Sequence, residues 1–125
     1  AAGETDRLLF GTHEVGPLRV VTATVPDADS NRLRQMGDIL RDKEPNIVAV
    51  LACVSKEKIT FLCVCGKQAI VSGVKAGDII KQVCAIAGGS GGGKPDSAMG
   101  GGKDPLMVDN ALAIVDNVVS MKLGL

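Results

Sequence analysis

The feature that most constrains this chain is a glycine-rich stretch at residues 88–102, with the sequence GGSGGGKPDSAMGGG. It holds half of the sixteen glycines in the protein. Glycine has no Cβ and lets the backbone approach another group closely, but it loses more conformational entropy on folding than any other residue. In a globular chain, a stretch this rich in glycine serves either as a flexible linker or as backbone that packs closely against another group.

A flexible linker is the usual interpretation of a Gly/Ser-rich run, but three details favour an ordered loop. Only one serine lies between Gly88 and Gly93, and Lys94-Pro95-Asp96 stiffens the middle of the stretch. Asp104-Pro105 then supplies an N-cap followed by proline at the first helical position. We therefore predict an ordered loop that joins two helices and offers its amide groups to an anion.

Residues 88–94 also match the first part of a P-loop, G-x-x-x-x-G-K, but two observations argue against that motif. Pro95 stands where a P-loop has the hydroxyl that binds Mg²⁺. The stretch follows a predicted helix, whereas P-loops and dinucleotide-binding turns follow a strand. The sequence therefore disfavours a nucleotidase or a dehydrogenase.

The composition fits one globular domain without a membrane span. The chain has 125 residues, and no apolar run approaches the roughly 20 residues that a transmembrane helix needs. Fourteen basic and fourteen acidic residues cancel, whereas non-specific nucleic-acid binders are usually strongly basic. Any contact with nucleic acid must therefore be local. The scarcity of aromatic residues also predicts no platform for stacking on unpaired bases.

The four cysteines are expected to be buried free thiols. Cys53, Cys63, Cys65 and Cys84 each lie in an apolar run, and no C-x-x-C pair occurs. With a single histidine, His13, the chain lacks the usual ligand spacing of a zinc site. A metal site and disulfides are the less favoured alternatives. Free thiols suit a reducing cytosol, so we expect a cytoplasmic protein. His13 lies in a polar link and is expected to be a surface residue.

Periodicity and turn residues predict the order of the elements. They are a helix at 1–10 ended by Gly11, a strand at 18–25, a helix at about 30–43, strands at 47–54 and 59–65, a helix at about 75–87 and a helix from 105 to about 122, with 67–74 either a turn or a short strand. The strand–helix–strand crossover favours parallel pairing. The predicted fold class is α/β (α+β), a mixed sheet of roughly four to five strands with helices packed on it and a glycine-rich loop between the last two helices.

The same spacing predicts which side chains are buried. In the helix at 30–43 the inward residues are Leu33, Met36, Gly37 and Leu40, and the residues expected to face solvent are Arg32, Arg34, Asp38, Arg41 and Asp42. In the strand at 59–65 one face is predicted to carry Ile59, Phe61, Cys63 and Cys65, and the other Leu62 and Val64. We take residues 1–10 as the end of an upstream helix or linker and 11–125 as a single domain. Because the chain starts without methionine, we expect a piece of a longer protein.

No catalytic constellation follows from the residues alone, since the chain has no Ser/His/Asp order and no H-E-x-x-H pattern. The pattern GVKAG at 73–77, followed by GGSGGGKPDSAMGGGKDP at 88–105, is more specific. It resembles the C-terminal domain of alanyl-tRNA synthetase, also called the DHH-associated domain, whose signature is GG-x-GGG-[RK]-PD-x-A-x-x-GG. The matching residues are Gly88, Gly89, Gly91, Gly92, Gly93, Lys94, Pro95, Asp96, Ala98, Gly101 and Gly102. The resemblance covers nearly the whole chain.

The resemblance implies an RNA-binding C-terminal domain of an alanine–tRNA ligase. Such a domain binds the elbow of tRNA, where the D and T loops meet, and helps aminoacylation and editing act on the same tRNA. It implies no catalytic residue, metal or cofactor in this fragment, because ATP, Mg²⁺ and Zn²⁺ belong to other domains of the parent enzyme. The implied partners are alanine-specific tRNA and those domains, and a homodimer formed through the parent is left open.

The residues expected to contact nucleic acid are the glycines and lysines of the motif together with nearby lysines: Gly88, Gly89, Gly91, Gly92, Gly93, Lys94, Lys103, Lys75 and Lys81. Lys94 stands where arginine is commoner in bacterial members of the family, which keeps the charge but loses the bidentate geometry. Lys75 and Lys81 are secondary candidates, since helix lysines are often only solvated. A Cβ at Gly91, Gly92 or Gly93 is expected to weaken RNA binding and to change stability far less, because a loop lies outside the core.

Two other functions remain open at this stage. The same associated domain occurs in DHH-type exonucleases and nucleotide phosphodiesterases, where its glycine motif resembles GGGH and holds the substrate phosphate. Here Lys94 replaces that histidine, and Pro95-Asp96 resembles the synthetase branch. The second alternative is an interaction module that mainly dimerises the parent enzyme.

Overall fold

The computed structural model describes residues 2–25, 28–55 and 58–125, and its centre is a six-stranded mixed sheet. The strands are β1 (His13–Val15), β2 (Leu18–Thr24), β3 (Ile47–Ser55), β4 (Lys58–Cys65), β5 (Ser90–Gly93) and β6 (Ser97–Gly102). The helices are α1 (Ala2–Phe10), α2 (Ser30–Lys43), α3 (Lys67–Val71), α4 (Ala76–Ile86), α5 (Val108–Ala113) and α6 (Val115–Leu123), with a 3₁₀ turn at Pro105–Met107. The predicted α/β class is confirmed, and the sheet has more strands than the four to five expected.

The strands lie in the order β1-β2-β3-β4-β6-β5. Strands β2 and β3 run parallel and are joined by α2, which confirms the predicted crossover. Every other neighbouring pair is antiparallel, including the β3–β4 hairpin. Residues 56–57, between the predicted strands at 47–54 and 59–65, and Pro26 and Asp27, ahead of the predicted helix at about 30–43, lie outside the described residues. Asp29 is the N-cap of α2, because its carboxylate accepts a hydrogen bond from the Arg32 N–H at 2.8 Å.

Each face of the sheet is covered by its own group of helices. Helices α1 and α2 pack on one face through residues that include Leu33, Met36 and Leu40, and α3 to α6 pack on the other. Strand β4 alternates as predicted, with Phe61 and Cys63 on the α4 side and Leu62 and Val64 on the α2 side. Nowhere in the ranges given above does a helix combine the length and apolar character needed to cross a membrane.

Four segments differ from the prediction: the link around His13, residues 67–71, the last helix and the glycine-rich stretch. The polar link around His13 is strand β1, because Gly16 adopts a φ of +59° and turns the chain so that Val15 pairs with Leu18. Residues 67–71 form helix α3, whose first turn is held by a 2.9 Å hydrogen bond from the Gln68 N–H to the Pro45 carbonyl.

The predicted last helix is interrupted at Ile114, whose N–H points to the Leu112 carbonyl instead of a carbonyl four residues back. The buried positions Val108, Ala111, Val115 and Val118 keep the spacing of a continuous helix on both sides of this residue. Apolar periodicity therefore carries no sign of the break. Gly124 ends α6 with a φ of +76°, as expected for a residue beyond a helix C-terminus.

The glycine-rich stretch is ordered, but it is a β-hairpin and not a loop. Residues 90–93 form β5, residues 97–102 form β6, and β6 pairs with β4 along Ile59–Val64. Gly88 has a φ of +76° just after α4, which confirms its predicted place at the end of that helix. Together with β1, these two strands explain why the sheet is wider than predicted.

All four cysteines are buried and free, as predicted. Burial, followed by the hydrogen bond and charge of the neighbouring Cys65, raises the pKa of the Cys63 thiol well above its usual range. Burial raises the pKa of Cys84 to about 11. Because the thiolate is the reactive form, we expect both thiols to react slowly: they are protonated, and their burial keeps reagents away.

We expect the native protein to react slowly with Ellman's reagent at pH 8 and to release four reactive thiols on unfolding. With a pKa of about 11, roughly one Cys84 thiol in a thousand is ionised at this pH. Its reaction should accelerate as the pH rises, with little change in circular dichroism. Rapid reaction of the folded protein at pH 8, or stoichiometric zinc in the purified protein, would contradict this description.

Candidate nucleic-acid interface

The candidate interface is built on the hairpin of β5 and β6 at the edge of the sheet. The two strands pair in register from Ser90 with Gly101 to Gly93 with Ala98. The turn between them is closed by a hydrogen bond of 3.0 Å from the Lys94 N–H to the Ser97 carbonyl. Lys94 therefore stands exposed at the tip of an edge strand that otherwise carries one serine and three glycines.

Helix α4 packs directly on the backbone of this hairpin, which explains most of its glycines. A Cβ at Gly100 would lie 2.5 Å from Cys84 Sγ and 2.7 Å from the Gly91 Cα. A Cβ at Gly102 would lie 2.6 Å from the Ala87 Cβ. Real Cβ atoms do not approach other atoms this closely, so a larger residue at either position would push the helix and the hairpin apart.

Backbone hydrogen bonds attach the hairpin to both ends of α4. At the start of the helix, the Ala76 N–H donates to the Pro95 carbonyl at 2.8 Å. At its end, the Gly89 N–H donates to the Cys84 carbonyl at 2.8 Å, and the Lys103 N–H donates to the Ala87 carbonyl at 2.9 Å. Helix ends leave such groups without partners inside the helix, and here the hairpin satisfies them.

This packing corrects the expectation that glycine substitutions would change stability little. Gly91 and Gly93 would each place a Cβ within 3 Å of the backbone of β6, so neither belongs to a segment outside the core. Gly92 differs, because the nearest atom to its Cβ position is Lys81 Cε at 3.9 Å. Of the three positions, Gly92 alone has room for a side chain.

The four lysines predicted to contact nucleic acid are exposed and follow the hairpin. Lys75 is the N-cap of α4 beside the turn, Lys81 reaches Gly92, and Lys103 follows β6. Among the residues that the structure describes, no carboxylate lies within ion-pair distance of these three lysines or of Lys94, the fourth. The geometry therefore groups all four along the same part of the sheet.

The carboxylates nearest to these lysines are already engaged. Asp78 lies 3.3 Å from Lys122 Nζ, and Asp96 lies 3.2 Å from Arg41 Nη1. The Asp104 carboxylate accepts a hydrogen bond of 3.1 Å from the Leu106 N–H. Asp78 and Asp96 are thus paired with cations, and among the described residues the four lysines outnumber Asp104, whose carboxylate has no cationic partner. This local excess of positive charge suits a polyanion.

Two arginines of α2, which are absent from the predicted site residues, lie beside this surface. An open groove of about 490 Å³ lies between α2 and the hairpin, lined by residues that include Arg34, Arg41, Gly92, Lys94 and Met99. The periodicity predicts that Arg34 and Arg41 face solvent, but the Arg41 side chain is only 27% exposed. Their spacing of seven residues, two helical turns, places them on one flank and is the signal that points to a shared surface.

The opposite edge of the sheet has the opposite character. A cleft of about 370 Å³ there is lined by residues that include His13, Asp109 and Asp116. His13 is exposed as predicted, and its Nε2 lies 2.7 Å from Asp116 Oδ1. Two carboxylates beside one imidazole disfavour a polyanion, so this edge does not extend the cationic surface.

Phe10 is an exposed aromatic side chain, although the scarcity of aromatic residues predicts no stacking platform. It ends α1 and is 90% exposed, whereas Phe61 is buried. Helix α1 contacts α2 and β2, so Phe10 does not line the hairpin groove.

In the described part of the chain, no group of three or more His, Cys, Asp or Glu side chains is placed to hold a metal ion.

Comparisons with known proteins identify relatives of this arrangement. Residues 18–121 match the family described as the DHHA1 domain. The chain is 35% identical over 124 residues to the alanine–tRNA ligase of Alkaliphilus oremlandii, a match that covers 99% of this chain and 14% of that protein. It is 43% identical over 100 residues to the alanine–tRNA ligase of Latilactobacillus sakei, covering 80% of this chain and 11% of that protein.

A solved structure shares the fold over most of the chain. The C-Ala domain from Aquifex aeolicus alanyl-tRNA synthetase superposes with a TM-score of 0.81 at 28% sequence identity, covering 87% of this chain and 97% of that domain. The chain therefore corresponds to nearly all of one solved domain, but it spans only 11–14% of the length of the two ligases.

The packing of α4 predicts that two glycines of the hairpin differ sharply in their tolerance of a methyl group. Gly100→Ala should lower the free energy of unfolding by ~1–3 kcal/mol, because the new Cβ overlaps Cys84 Sγ and the Gly91 backbone. Gly92→Ala should change it by less than about 0.5 kcal/mol, because that position is open. Urea denaturation of both variants measures the difference, and equal losses would show that α4 does not rest on the hairpin backbone.

Proposed function

The chain belongs to the DHHA1 domain family, and on this premise we propose that it is the tRNA-binding C-terminal domain of an alanine–tRNA ligase. Two relatives that bear that name match most or all of the chain, and the C-Ala domain shares its fold. In this proposal the parent enzyme attaches alanine to tRNA, and its ATP, Mg²⁺ and Zn²⁺ belong to other domains. This chain contributes binding and no chemical step.

The observation that carries the proposal is the row of unpaired lysines along a strand with almost no side chains. The lysines would bind phosphates as point charges, and the glycine backbone of β5 would let RNA come close without steric obstruction. Most contacts that position a protein on nucleic acid are made to phosphate and sugar in this way. The surface therefore suits a folded RNA recognised by its shape and phosphate positions.

We propose the elbow of tRNA as the bound part. In the groove described above, arginine, lysine and backbone groups are present and no aromatic ring is among the lining residues, which disfavours a splayed single strand as ligand. Contact at the elbow would leave the acceptor end free to move between aminoacylation and editing. Holding one tRNA through both steps raises its effective concentration at each.

The other functions considered from the sequence are less well supported. A phosphodiesterase of the associated family would use a histidine at the place of Lys94, and the two sequence relatives named above are ligases. Dimerisation of the parent stays an additional proposal, which sedimentation of this chain in the absence of RNA would test. We also propose a cytoplasmic parent, the compartment in which four unpaired cysteines stay reduced.

The proposal predicts that Gly92→Val and Lys94→Ala each weaken binding of an intact tRNA transcript. A valine at residue 92 would cover the open backbone, and loss of Lys94 would weaken binding by about tenfold, the usual size for one charge-assisted contact. Lys94→Ala should also lower the slope of log K against log salt by about 0.7–0.9, or one phosphate. Fluorescence anisotropy of labelled tRNA at several salt concentrations measures both quantities.

The control RNA is an acceptor-stem minihelix that lacks the D and T loops, and it should bind more weakly than the whole tRNA. Thermal melts of the variants establish that they are folded. If folded Gly92→Val binds tRNA as the unmodified chain does, the hairpin is not the RNA-binding surface. If the minihelix binds as tightly as tRNA, the elbow is not the bound part.

A further inference from the structure

We infer that the RNA-binding surface continues from the hairpin across the groove onto α2, where Arg34 binds an RNA phosphate. This inference rests on the proposed function and extends it to a residue outside the glycine motif. Arg34 and Lys94 line the same groove of about 490 Å³ from its two sides. The glycine backbone between them adds no side chain at Gly92, so a phosphodiester backbone has room to lie along the groove.

Arg34 has the contacts expected of a guanidinium held ready for an anion. It is exposed, and its Nε donates to Met99 Sδ at 3.0 Å. A thioether sulfur is a weak acceptor, so this contact orients the side chain over β6 without neutralising its charge. No carboxylate among the described residues lies within ion-pair distance of Arg34. Its two terminal nitrogens therefore keep the fork geometry that matches phosphate.

Arg41, the second arginine of the groove, is committed to carboxylates. Its Nη1 lies 3.2 Å from Asp96 Oδ2, and its Nη2 lies 3.3 Å from Asp38 Oδ1. The Asp96 carbonyl also accepts a hydrogen bond of 3.0 Å from the Cys65 N–H, which holds the hairpin turn against β4. Arg41 thus neutralises one of the two negative charges beside it, and it is less available to bind a polyanion.

The charges of the groove follow from these pairings. Its charged lining residues are Arg34, Arg41, Lys94, Asp38 and Asp96. Three cations and two carboxylates give the groove a net charge of +1. Arg41 is shared between the two carboxylates, so the cations without a carboxylate partner are Arg34 on α2 and Lys94 at the hairpin tip. A phosphate chain that crosses the groove from one to the other would meet positive charge at both walls, and this complementarity selects an RNA backbone as the occupant.

The test compares Arg34→Ala, Arg34→Lys and Lys43→Ala in the 125-residue chain, titrated with the intact tRNA transcript. Arg34→Ala should weaken binding by about tenfold and lower the salt slope by about 0.7–0.9. Arg34→Lys should restore the slope but only part of the affinity, because lysine keeps the charge and loses the fork. Lys43→Ala is the matched control, since it removes an exposed cation of the same helix that pairs with Asp6 and does not line the groove.

Each outcome bears on the inference separately from the proposed function. Melting temperatures should stay within about 2 °C for all three variants, because the substituted side chains are exposed. If Lys94→Ala weakens binding while Arg34→Ala does not, the inference is wrong and the hairpin alone binds RNA. Equal losses of tRNA affinity for Arg34→Ala and Lys43→Ala would also overturn the inference, because they would show that binding depends on the total charge of the chain and not on the groove. If neither Arg34→Ala nor Lys94→Ala weakens tRNA binding, the proposed function of this surface is wrong as well.

Discussion

The direct contact between α4 and the bare backbone of the β5–β6 hairpin is the constraint on which the rest of this structure depends. Gly91, Gly100 and Gly102 leave no room for side chains beneath the helix, and Cys84 and Ala87 fill the space that remains. Hydrogen bonds from the hairpin then satisfy carbonyls at the end of the helix. Together these contacts add two strands to a sheet that would otherwise end at β4. The entropy that glycine loses on folding is offset by this close packing.

The glycines that allow α4 to pack on the hairpin also produce the surface that we assign to RNA. A strand made of one serine and three glycines has no side chains of its own to present, so the charge beside it comes from neighbouring elements. Lysines on α4 and at both ends of the hairpin supply positive charge, and α2 contributes Arg34 from across the groove. Local carboxylates are engaged with Lys122, Arg41 and a helix cap. A chain with no net charge can in this way present a cationic surface.

The elements that could be predicted are those whose apolar side chains form a helical period or a continuous run. Helix α2 has a clear helical period, and strands β3 and β4 are apolar runs. Their bounds agree with the prediction, and so do the buried faces of α2 and β4. The hairpin could not be recognised as two strands, because glycine gives no alternation and has low strand propensity. The motif identified the residues and the family, but only the fold distinguishes Gly92, which is open, from Gly91, which is packed. Arg34 was missed for the same reason, since its place opposite Lys94 depends on how α2 crosses the sheet.

Amide NMR of the 125-residue chain, titrated with an intact tRNA transcript, tests the central claim most directly. The account predicts that amide resonances of residues 88–97, and of α2 around Arg34, shift or broaden together as tRNA is added. Resonances of β1 and of the cleft around His13 and Asp116, at the acidic edge of the sheet, should stay in place. Perturbations that cluster on the acidic edge, or that spare the hairpin while binding is saturated, would contradict the assignment of this surface to RNA.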